Sequence, residues 1–191
     1  MNPNPSPNSS SRPKWLQWLI WIFNAIGFKI GWFACIYGAL YGYHYEGALS
    51  MLVLIIIHLW TMGWPKYEIQ FTVIVTVIGT GLDTLLNISG LVEYIGTYPG
   101  LPWMAPIWIT AIWAGFAVTL DYSLTFLVGR PWLTVLLAAV FGPLSYWGGE
   151  VMGAASFGRG LWPAMITIGI EWAIALPLMY VLLEKLKSRV T

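Results

Sequence analysis

Charged residues are scarce in this chain. Asp, Glu, Lys and Arg make up 9% of the 191 residues and hydrophobic residues make up 58%, whereas soluble domains contain about 25% and about 45–50%, respectively. A water-soluble fold of this length has too little interior to hide so much apolar surface. The composition therefore indicates a membrane protein. The net charge is only +1, which excludes the broad basic surface that a nucleic-acid partner requires.

Cysteine and histidine are nearly absent as well. The single cysteine, Cys35, excludes an internal disulfide and a cysteine-rich metal centre, and two histidines are too few for a histidine-rich di-iron enzyme. We therefore expect neither a metal nor a cofactor.

Catalytic motifs are incomplete wherever fragments of them occur. Residues 79–83 (GTGLD) have one residue too many for an intramembrane aspartyl protease. Residues 142–145 (GPLS) lack the flanking glycine pattern of a serine nucleophile, and residues 153–160 (GAASFGRG) lack the lysine of a phosphate-binding loop. No catalytic residue is predicted, and enzymatic activity stays open as an alternative.

Long apolar runs dominate the chain instead. A helix needs roughly 20 apolar residues to cross a bilayer, and six stretches qualify: residues 16–40, 47–63, 67–88, 103–128, 132–152 and 162–183. They predict an all-α polytopic membrane protein, a bundle of six transmembrane helices. We expect residues 1–13 to be a disordered cytoplasmic tail, residues 14–187 to form a single six-helix domain, and residues 188–191 to be a cytoplasmic end.

Lysine and arginine determine the expected orientation. With the N-terminus inside, seven of these residues fall on the inner side and one, Arg159, falls on the outer side. The seven are Arg12, Lys14, Lys66, Arg130, Lys185, Lys187 and Arg189. Because cytoplasmic segments of membrane proteins are enriched in positive charge, the sequence predicts both termini in the cytoplasm.

Lys29 lies near the middle of the first apolar run. A cation at that depth costs about 2.5–3.5 kcal/mol on insertion scales, and it is retained where something offsets the cost. A rise of about 1.5 Å per residue places Glu171 in the same plane and Asp83 within reach of the lysine side chain. The spacing predicts an intramembrane polar site formed by Lys29, Asp83 and Glu171.

His58 and Asp121 lie at a similar depth, closer to the inner boundary. They form a candidate second polar site, in which a histidine that titrates near neutral pH would respond to protons. The alternative is a lone His58 that is hydrogen-bonded inside the bundle.

Small residues recur at helical spacing on two of the predicted helices. Gly27 and Gly31 share one face of the first helix, and Gly142, Ser145 and Gly149 share one face of the fifth. Such stripes let membrane helices approach closely. We expect these five residues to be helix-packing positions.

Several blocks, taken together, resemble the bacterial domain-of-unknown-function 2878 family of small inner-membrane proteins. They are residues 24–33 (NAIGFKIGWF), residues 81–86 (GLDTLL), Pro106, Trp108 and Trp113, residues 142–146 (GPLSY) with Gly149, and residues 153–154 (GA). The resemblance covers nearly the whole chain after the tail and implies no established activity. Genes of this family tend to lie near cyclopropane-fatty-acid-synthase-like and other lipid-modifying enzymes, so the resemblance implies a loose link to membrane-lipid metabolism.

Three functions fit these features. The first is a binding or transport component for a lipid or a small molecule, with the polar site inside the bundle. The second is a membrane enzyme, or an accessory subunit of one, that modifies fatty acyl chains. The third is an assembly or scaffold protein whose charges hold its helices together. Membrane lipids and another membrane subunit are the expected partners.

Overall fold

The structure is a computed structural model that describes residues 13–190. Nearly all of the predicted N-terminal tail, and the last residue of the predicted C-terminal end, lie outside the described residues. Six α-helices and two short strands follow one another: α1 Lys14–Leu40, α2 His44–Met62, α3 Lys66–Ile88, β1 Glu93–Tyr94, α4 Ile107–Ala117, α5 Pro131–Met152, β2 Ala155–Ser156 and α6 Leu161–Lys187.

All the helices except α4 are long and apolar enough to cross a membrane. Their outward faces carry large apolar side chains, including Ile30, Trp60, Val77, Leu136 and Ile170. Water does not solvate so continuous an apolar surface, whereas lipid does. The predicted all-α fold is confirmed, and its five long apolar helices are those expected of a membrane protein.

A tight turn joins α2 to α3. Gly63 ends α2 in the left-handed conformation (φ 78°), which costs a glycine little because it has no Cβ. The N–H of Trp64 then closes the helix end on the carbonyl of Leu59, and α3 begins directly after Pro65. The turn brings the end of α2 close to the start of α3, where His58 and Glu68 meet.

α4 packs between α2 and α3 and also contacts α1. It ends at Ala117, and the chain then turns so that the Tyr122 ring lies against the ring of His58. Thr119 bonds its hydroxyl back to the Phe116 carbonyl at 2.6 Å, a side-chain bond that competes with helix continuation. The single helix predicted over residues 103–128 is therefore shortened to Ile107–Ala117.

The chain between α4 and α5 consists of turns and a short 3-10 helix, Thr125–Leu127. Side chains from other helices bond to its free carbonyls: Asn24 of α1 donates to Val118 at 2.9 Å, and Tyr180 of α6 donates to Leu124 at 2.8 Å. Non-helical backbone at membrane depth is tolerated where protein buries and bonds it. These contacts allow the irregular segment to stay inside the bundle.

α5 and α6 pack against each other, and α6 also contacts α3. β1 and β2, from the loops before α4 and α6, pair in antiparallel fashion, with Glu93 opposite Ser156 and Tyr94 opposite Ala155. The pair covers the end of the bundle where α3 and α5 finish. We call it the Tyr94 end, and the opposite end, where α3 begins and α6 finishes, the Lys66 end.

Candidate functional site

Asp83 of α3 is 1% exposed and lies toward the Tyr94 end. Its carboxylate accepts hydrogen bonds from three aromatic side chains of three different elements: Tyr94 of β1, Trp113 of α4, and Tyr146 of α5, the last at 2.9 Å. A carboxylate removed from water needs such donors. Every one of these donors is neutral, and among the described residues Asp83 forms no ion pair.

Two stacked indoles line this site. The Trp113 and Trp172 rings lie 5.0 Å apart with an interplanar angle of 12°. Gly79 and Gly142 make room for them, because a Cβ at Gly79 would overlap the Trp113 ring and a Cβ at Gly142 would lie 2.5 Å from Trp172. The two glycines therefore position the indole pair and, through Trp113, one of the donors to Asp83.

Glu171 of α6 lies within electrostatic range of Asp83. Its Oε1 atom is buried and has no hydrogen-bond partner within residues 13–190. The structure thus brings together two of the three predicted site residues. Two neighbouring carboxyl groups repel each other when both are ionised. We call Asp83, Tyr94, Trp113, Tyr146 and Glu171 the Asp83 cluster.

Lys29 is exposed on α1. The ion pairs among the described residues are His58–Glu68, Lys187–Asp121 and Lys187–Glu184. The side chains around Lys29 on the helix surface, Ile26, Ile30 and Phe33, are exposed as well. Lys29 therefore lies on the outward face of α1, apart from Asp83 and Glu171.

Tyr94 is the one donor to Asp83 that comes from a loop. Burial, followed by the nearby charge of Asp83, raises the pKa of Tyr94 well above its ordinary value. The phenol therefore stays protonated and donates at physiological pH. Trp108 packs edge-on against the Tyr94 ring and donates to the Ile95 carbonyl at 2.9 Å, which ties the β1 loop to α4.

A second polar cluster lies toward the Lys66 end. His58 Nε2 and Glu68 Oε1 are 2.7 Å apart, and the two residues are 3% and 1% exposed. Tyr122 donates to the other Glu68 oxygen at 3.1 Å, and its ring lies edge-on to the His58 ring. Asn24 of α1 approaches His58 Nδ1 at 3.4 Å. We call these four residues the His58 cluster.

Asp121, the other member of the predicted second site, has different partners. It forms an ion pair with Lys187 of α6 and accepts from the Tyr67 hydroxyl at 2.9 Å. The carboxylate that contacts His58 belongs to Glu68 instead. His58 and Asp121 are connected indirectly, because the hydroxyl groups of Tyr67 and Tyr122 lie next to each other.

The predicted helix-packing positions differ in what they face. A Cβ on Gly31 would lie 2.5 Å from the Met51 sulfur of α2, and one on Gly149 would be 3.9 Å from a side chain of α1. Gly27 is buried, yet no atom lies within 4 Å of its Cβ position. Ser145 is exposed and bonds a carbonyl of its own helix at 2.7 Å. Gly142 is the position that faces an indole.

The sequence interpretation missed several members of the two clusters. Glu68 lies at the start of a predicted span, where acids are commonly exposed at the membrane interface. Tyr94 lies in a loop between two predicted spans. Neither residue carries a local signal of burial. Asn24 does carry one: it is a polar residue within an apolar run, the same pattern that singled out Lys29.

Both clusters place carboxylate oxygens among neutral donors, an arrangement that can bind a proton or a hydrogen-bond donor. Within residues 13–190, no group of three or more His, Cys, Asp or Glu side chains is arranged to hold a metal ion.

The family model described as protein of unknown function (DUF2878) matches residues 21–178, most of the chain. The chain belongs to the DUF2878 family. The resemblance drawn from the sequence blocks is thereby confirmed. No curated protein and no solved structure matches the chain. In this DUF2878 protein, every member of the Asp83 cluster and of the His58 cluster lies within the matched residues.

Proposed function

We propose that this DUF2878 protein is a binding or transport component of a bacterial inner membrane, and that it binds a lipid or a small molecule at the Asp83 cluster. In this proposal the chain crosses the membrane six times with both termini in the cytoplasm. α4 and the turns after it together make the fourth crossing. The observation that supports the site is the buried Oε1 atom of Glu171, which has no hydrogen-bond partner among residues 13–190.

The two acids of the Asp83 cluster differ in how many hydrogen bonds their side-chain oxygens accept. Asp83 accepts three hydrogen bonds, whereas Glu171 beside it has a buried oxygen without a donor. Leaving such a polar atom unpaired costs roughly 1–3 kcal/mol. A ligand with an N–H or O–H group would remove that cost, and a positively charged group would also be attracted by both carboxyl groups. The ligand class is therefore one with an amine or hydroxyl head.

A groove between α5 and α6 favours a lipid among such ligands. It has a volume of about 470 Å³ and is lined by apolar side chains, among them Val140, Leu144, Ile166 and Ile170. The groove opens on the outward, apolar surface of the two helices that carry Tyr146 and Glu171. An acyl chain in the groove is the occupant that this surface suits, and a role in membrane-lipid metabolism would follow.

Native mass spectrometry of the gently extracted protein tests the proposal. We expect the wild-type protein to retain a lipid or small molecule and Glu171→Gln to lose it, because the amide places a donor where a ligand donor must bind. Glu184→Gln is the matched control, since Glu184 is an exposed acid on the same helix. Equal retention by the wild-type protein and by Glu171→Gln, or no retained molecule in any of the three proteins, would contradict the proposed site.

Lys29 supports a second candidate, an assembly or accessory subunit of a membrane complex. It is exposed, and it is the sixteenth residue of a helix of 27 residues, so it lies near mid-membrane if α1 spans. A lysine at membrane depth pairs with an acid or extends to the interface, and this candidate gives Lys29 an acid of another chain as its partner. Crosslinking from a photoreactive residue at position 29 in intact membranes tests this candidate. A protein crosslink there, absent from position 26 on the same face, is the supporting outcome, and equal crosslinking at both positions contradicts it.

A further inference from the structure

The amide of Asn24 has a defined orientation. Its Oδ1 atom accepts from the Ser123 N–H at 3.3 Å and from the Ser123 hydroxyl at 2.7 Å, and its Nδ2 atom donates to the Val118 carbonyl at 2.9 Å. Exchanging the oxygen and the nitrogen would place a donor against the Ser123 N–H and an acceptor against the Val118 carbonyl. The group that faces His58 Nδ1 at 3.4 Å is therefore an N–H donor.

This orientation assigns the protons of His58. A ring nitrogen that faces a donor is an acceptor, so Nδ1 carries no proton and the ring proton lies on Nε2. The Nε2–H donates to Glu68 Oε1 at 2.7 Å, and the Tyr122 hydroxyl donates to Oε2 at 3.1 Å. Only neutral groups contact the Glu68 carboxylate in this state, so the His58 cluster holds an uncompensated negative charge at a residue that is 1% exposed.

We propose that the His58–Glu68 pair is a proton-binding site. The added proton binds Nδ1 of His58 and converts the pair to an imidazolium and a carboxylate, which attract each other. No covalent bond other than this N–H bond forms or breaks. The site is separate from the Asp83 cluster and does not depend on a ligand there.

The surroundings of the pair favour a proton over a larger cation. The cavity beside His58 has a volume of only about 20 Å³ and is lined by Asn24, His58 and Val118 together with apolar side chains. α4 ends next to it, and the free carbonyls at a helix C-terminus favour positive charge. The other ionisable side chains near the pair are Tyr122 and Asp121 of the segment after α4, Tyr67 of α3, and Lys187 and Glu184 of α6.

Proton binding changes what Asn24 can do. Once Nδ1 is protonated, it and the Asn24 N–H are both donors, and their hydrogen bond is lost. Asn24 cannot turn its amide around without giving up Val118 and Ser123. The small cavity has room for one water, which needs roughly 10–15 Å³ and would accept from Nδ1–H. Protonation therefore releases His58 from the residue that ties α1 to the segment after α4.

Three side chains connect the pair to the Lys66 end of the bundle. Tyr122 donates to Glu68, its hydroxyl lies next to that of Tyr67, and Tyr67 donates to Asp121. Asp121 in turn contacts Lys187, whose side chain is 21% exposed. Since a hydroxyl group both donates and accepts, this row of groups provides a path for protons from that end to the pair.

Nitrogen-15 NMR of the histidine rings tests the site. The protein has two histidines, so His44 serves as an internal reference for His58. We expect His58 to gain a second ring proton reversibly as the pH falls, and we expect Glu68→Gln to lower its proton affinity at least tenfold while His44 is unchanged. Glu150→Gln, which removes an acid near the opposite end of the bundle, is the matched control and leaves both histidines unchanged. A His58 ring that never gains a second proton, or that has the same affinity in Glu68→Gln, overturns the proposal.

Asn24→Asp changes the same equilibrium in the opposite direction. A carboxylate in place of the amide accepts from Nδ1–H, so we expect the proton affinity of His58 to rise at least tenfold. The aspartate keeps the acceptor that Ser123 uses and loses the donor to the Val118 carbonyl, so thermal unfolding is measured alongside to confirm that the variant is folded. An unchanged or lowered affinity in Asn24→Asp contradicts the assignment of Nδ1 as the site of the added proton.

The proton path can be tested by the rate at which the His58 ring N–H exchanges with solvent. Tyr67→Phe removes a hydroxyl from the path, and Tyr180→Phe removes one that bonds only the Leu124 carbonyl in the same region. We expect the exchange of the His58 ring N–H with solvent to slow at least tenfold in Tyr67→Phe and to be unchanged in Tyr180→Phe. Equal exchange rates in the two variants contradict the path through Tyr67.

Discussion

The Asp83 cluster and the His58 cluster each bury a carboxylate beside tyrosines, but they differ in what completes the set of donors. Asp83 receives three bonds from aromatic side chains that do not ionise under physiological conditions. Glu68 receives one from a tyrosine and one from a histidine, and histidine titrates near neutral pH. The donors of the Asp83 cluster therefore keep their protons near neutral pH, whereas in our proposal the histidine of the His58 cluster gains one as the pH falls.

The clusters also differ in their connection to the ends of the bundle. The loop that follows α3 reaches back to Asp83 through Tyr94, so the β1–β2 pair closes that site. The His58 cluster lies at the apex of the α2–α3 turn and continues through Tyr122, Tyr67 and Asp121 toward α6. The Asp83 cluster is therefore suited to ligand binding and the His58 cluster to proton binding.

The largest effect is expected from Asp83→Ala, which removes the acceptor shared by three buried donors. Each unpaired donor costs roughly 1–3 kcal/mol, so the free energy of unfolding should fall by at least about 3 kcal/mol. Asp83→Asn keeps one acceptor oxygen and should cost less. Thermal unfolding in detergent measures both, with Glu150→Ala as the control for a half-buried acid near the same end. Similar losses for Asp83→Ala and Glu150→Ala would mean that the three bonds contribute little.

The second-largest loss in the free energy of unfolding is expected from Gly79→Ala. The added methyl group overlaps the Trp113 ring, and overpacking of this kind costs about 1–3 kcal/mol. Gly81, two residues further along α3, has no atom within 4 Å of its Cβ position. Gly81→Ala should therefore be neutral or stabilising by up to about 1 kcal/mol, the difference in helix propensity. The two variants can be compared by thermal unfolding, and equal melting temperatures would show that Trp113 does not hold its position against α3.

The five long helices follow from local features of the sequence, because each is a long apolar run bounded by turn residues. The helix at residues 103–128 could not be predicted correctly from such features. The helix ends at Ala117, where the Thr119 hydroxyl bonds back to the Phe116 carbonyl. The backbone after it accepts bonds from Asn24 and Tyr180. Those contacts join residues far apart in the sequence.

The polar sites were predictable in part for the same reason. Depth along a helix placed Glu171 in the plane of Lys29 and Asp83 within reach of the lysine side chain, and depth is a one-dimensional quantity that the sequence contains. Depth does not say which way a side chain points around its helix. Lys29 faces outward, and His58 faces Glu68 across a tight turn rather than Asp121.

A paired removal of hydroxyl groups compares the two clusters directly. Tyr146→Phe leaves Asp83 with two donors, whereas Tyr122→Phe leaves Glu68 with His58 alone. A hydrogen bond to a charged group contributes about 1.5–3 kcal/mol, and the loss is larger where fewer donors remain. We expect Tyr122→Phe to lower the melting temperature more than Tyr146→Phe. The reverse order would indicate that Glu68 is protonated in the folded protein and needs no second donor.

The smallest effect on the isolated protein is expected from Lys29→Met. Because Lys29 is exposed and apart from both acids, the substitution should change the free energy of unfolding in detergent by less than about 0.5 kcal/mol. Breaking a buried ion pair would instead cost about 3–5 kcal/mol. Thermal unfolding of Lys29→Met, with and without Glu171→Gln, distinguishes these cases.

The double variant shows whether Lys29 pairs with Glu171 or with an acid of another chain. If Lys29→Met alone is strongly destabilising and Glu171→Gln restores stability, Lys29 pairs with Glu171 and belongs to the Asp83 cluster, contrary to its outward position on α1. If the single variant is stable in detergent but is degraded faster in cell membranes, the partner of Lys29 lies on another chain, because only an intact membrane retains that chain. Detergent also lets water reach an exposed lysine, which removes the cost of its charge. The membrane measurement is therefore the one that detects the loss of a partner, and equal lifetimes of the wild-type protein and Lys29→Met there would mean that the lysine extends to the interface without one.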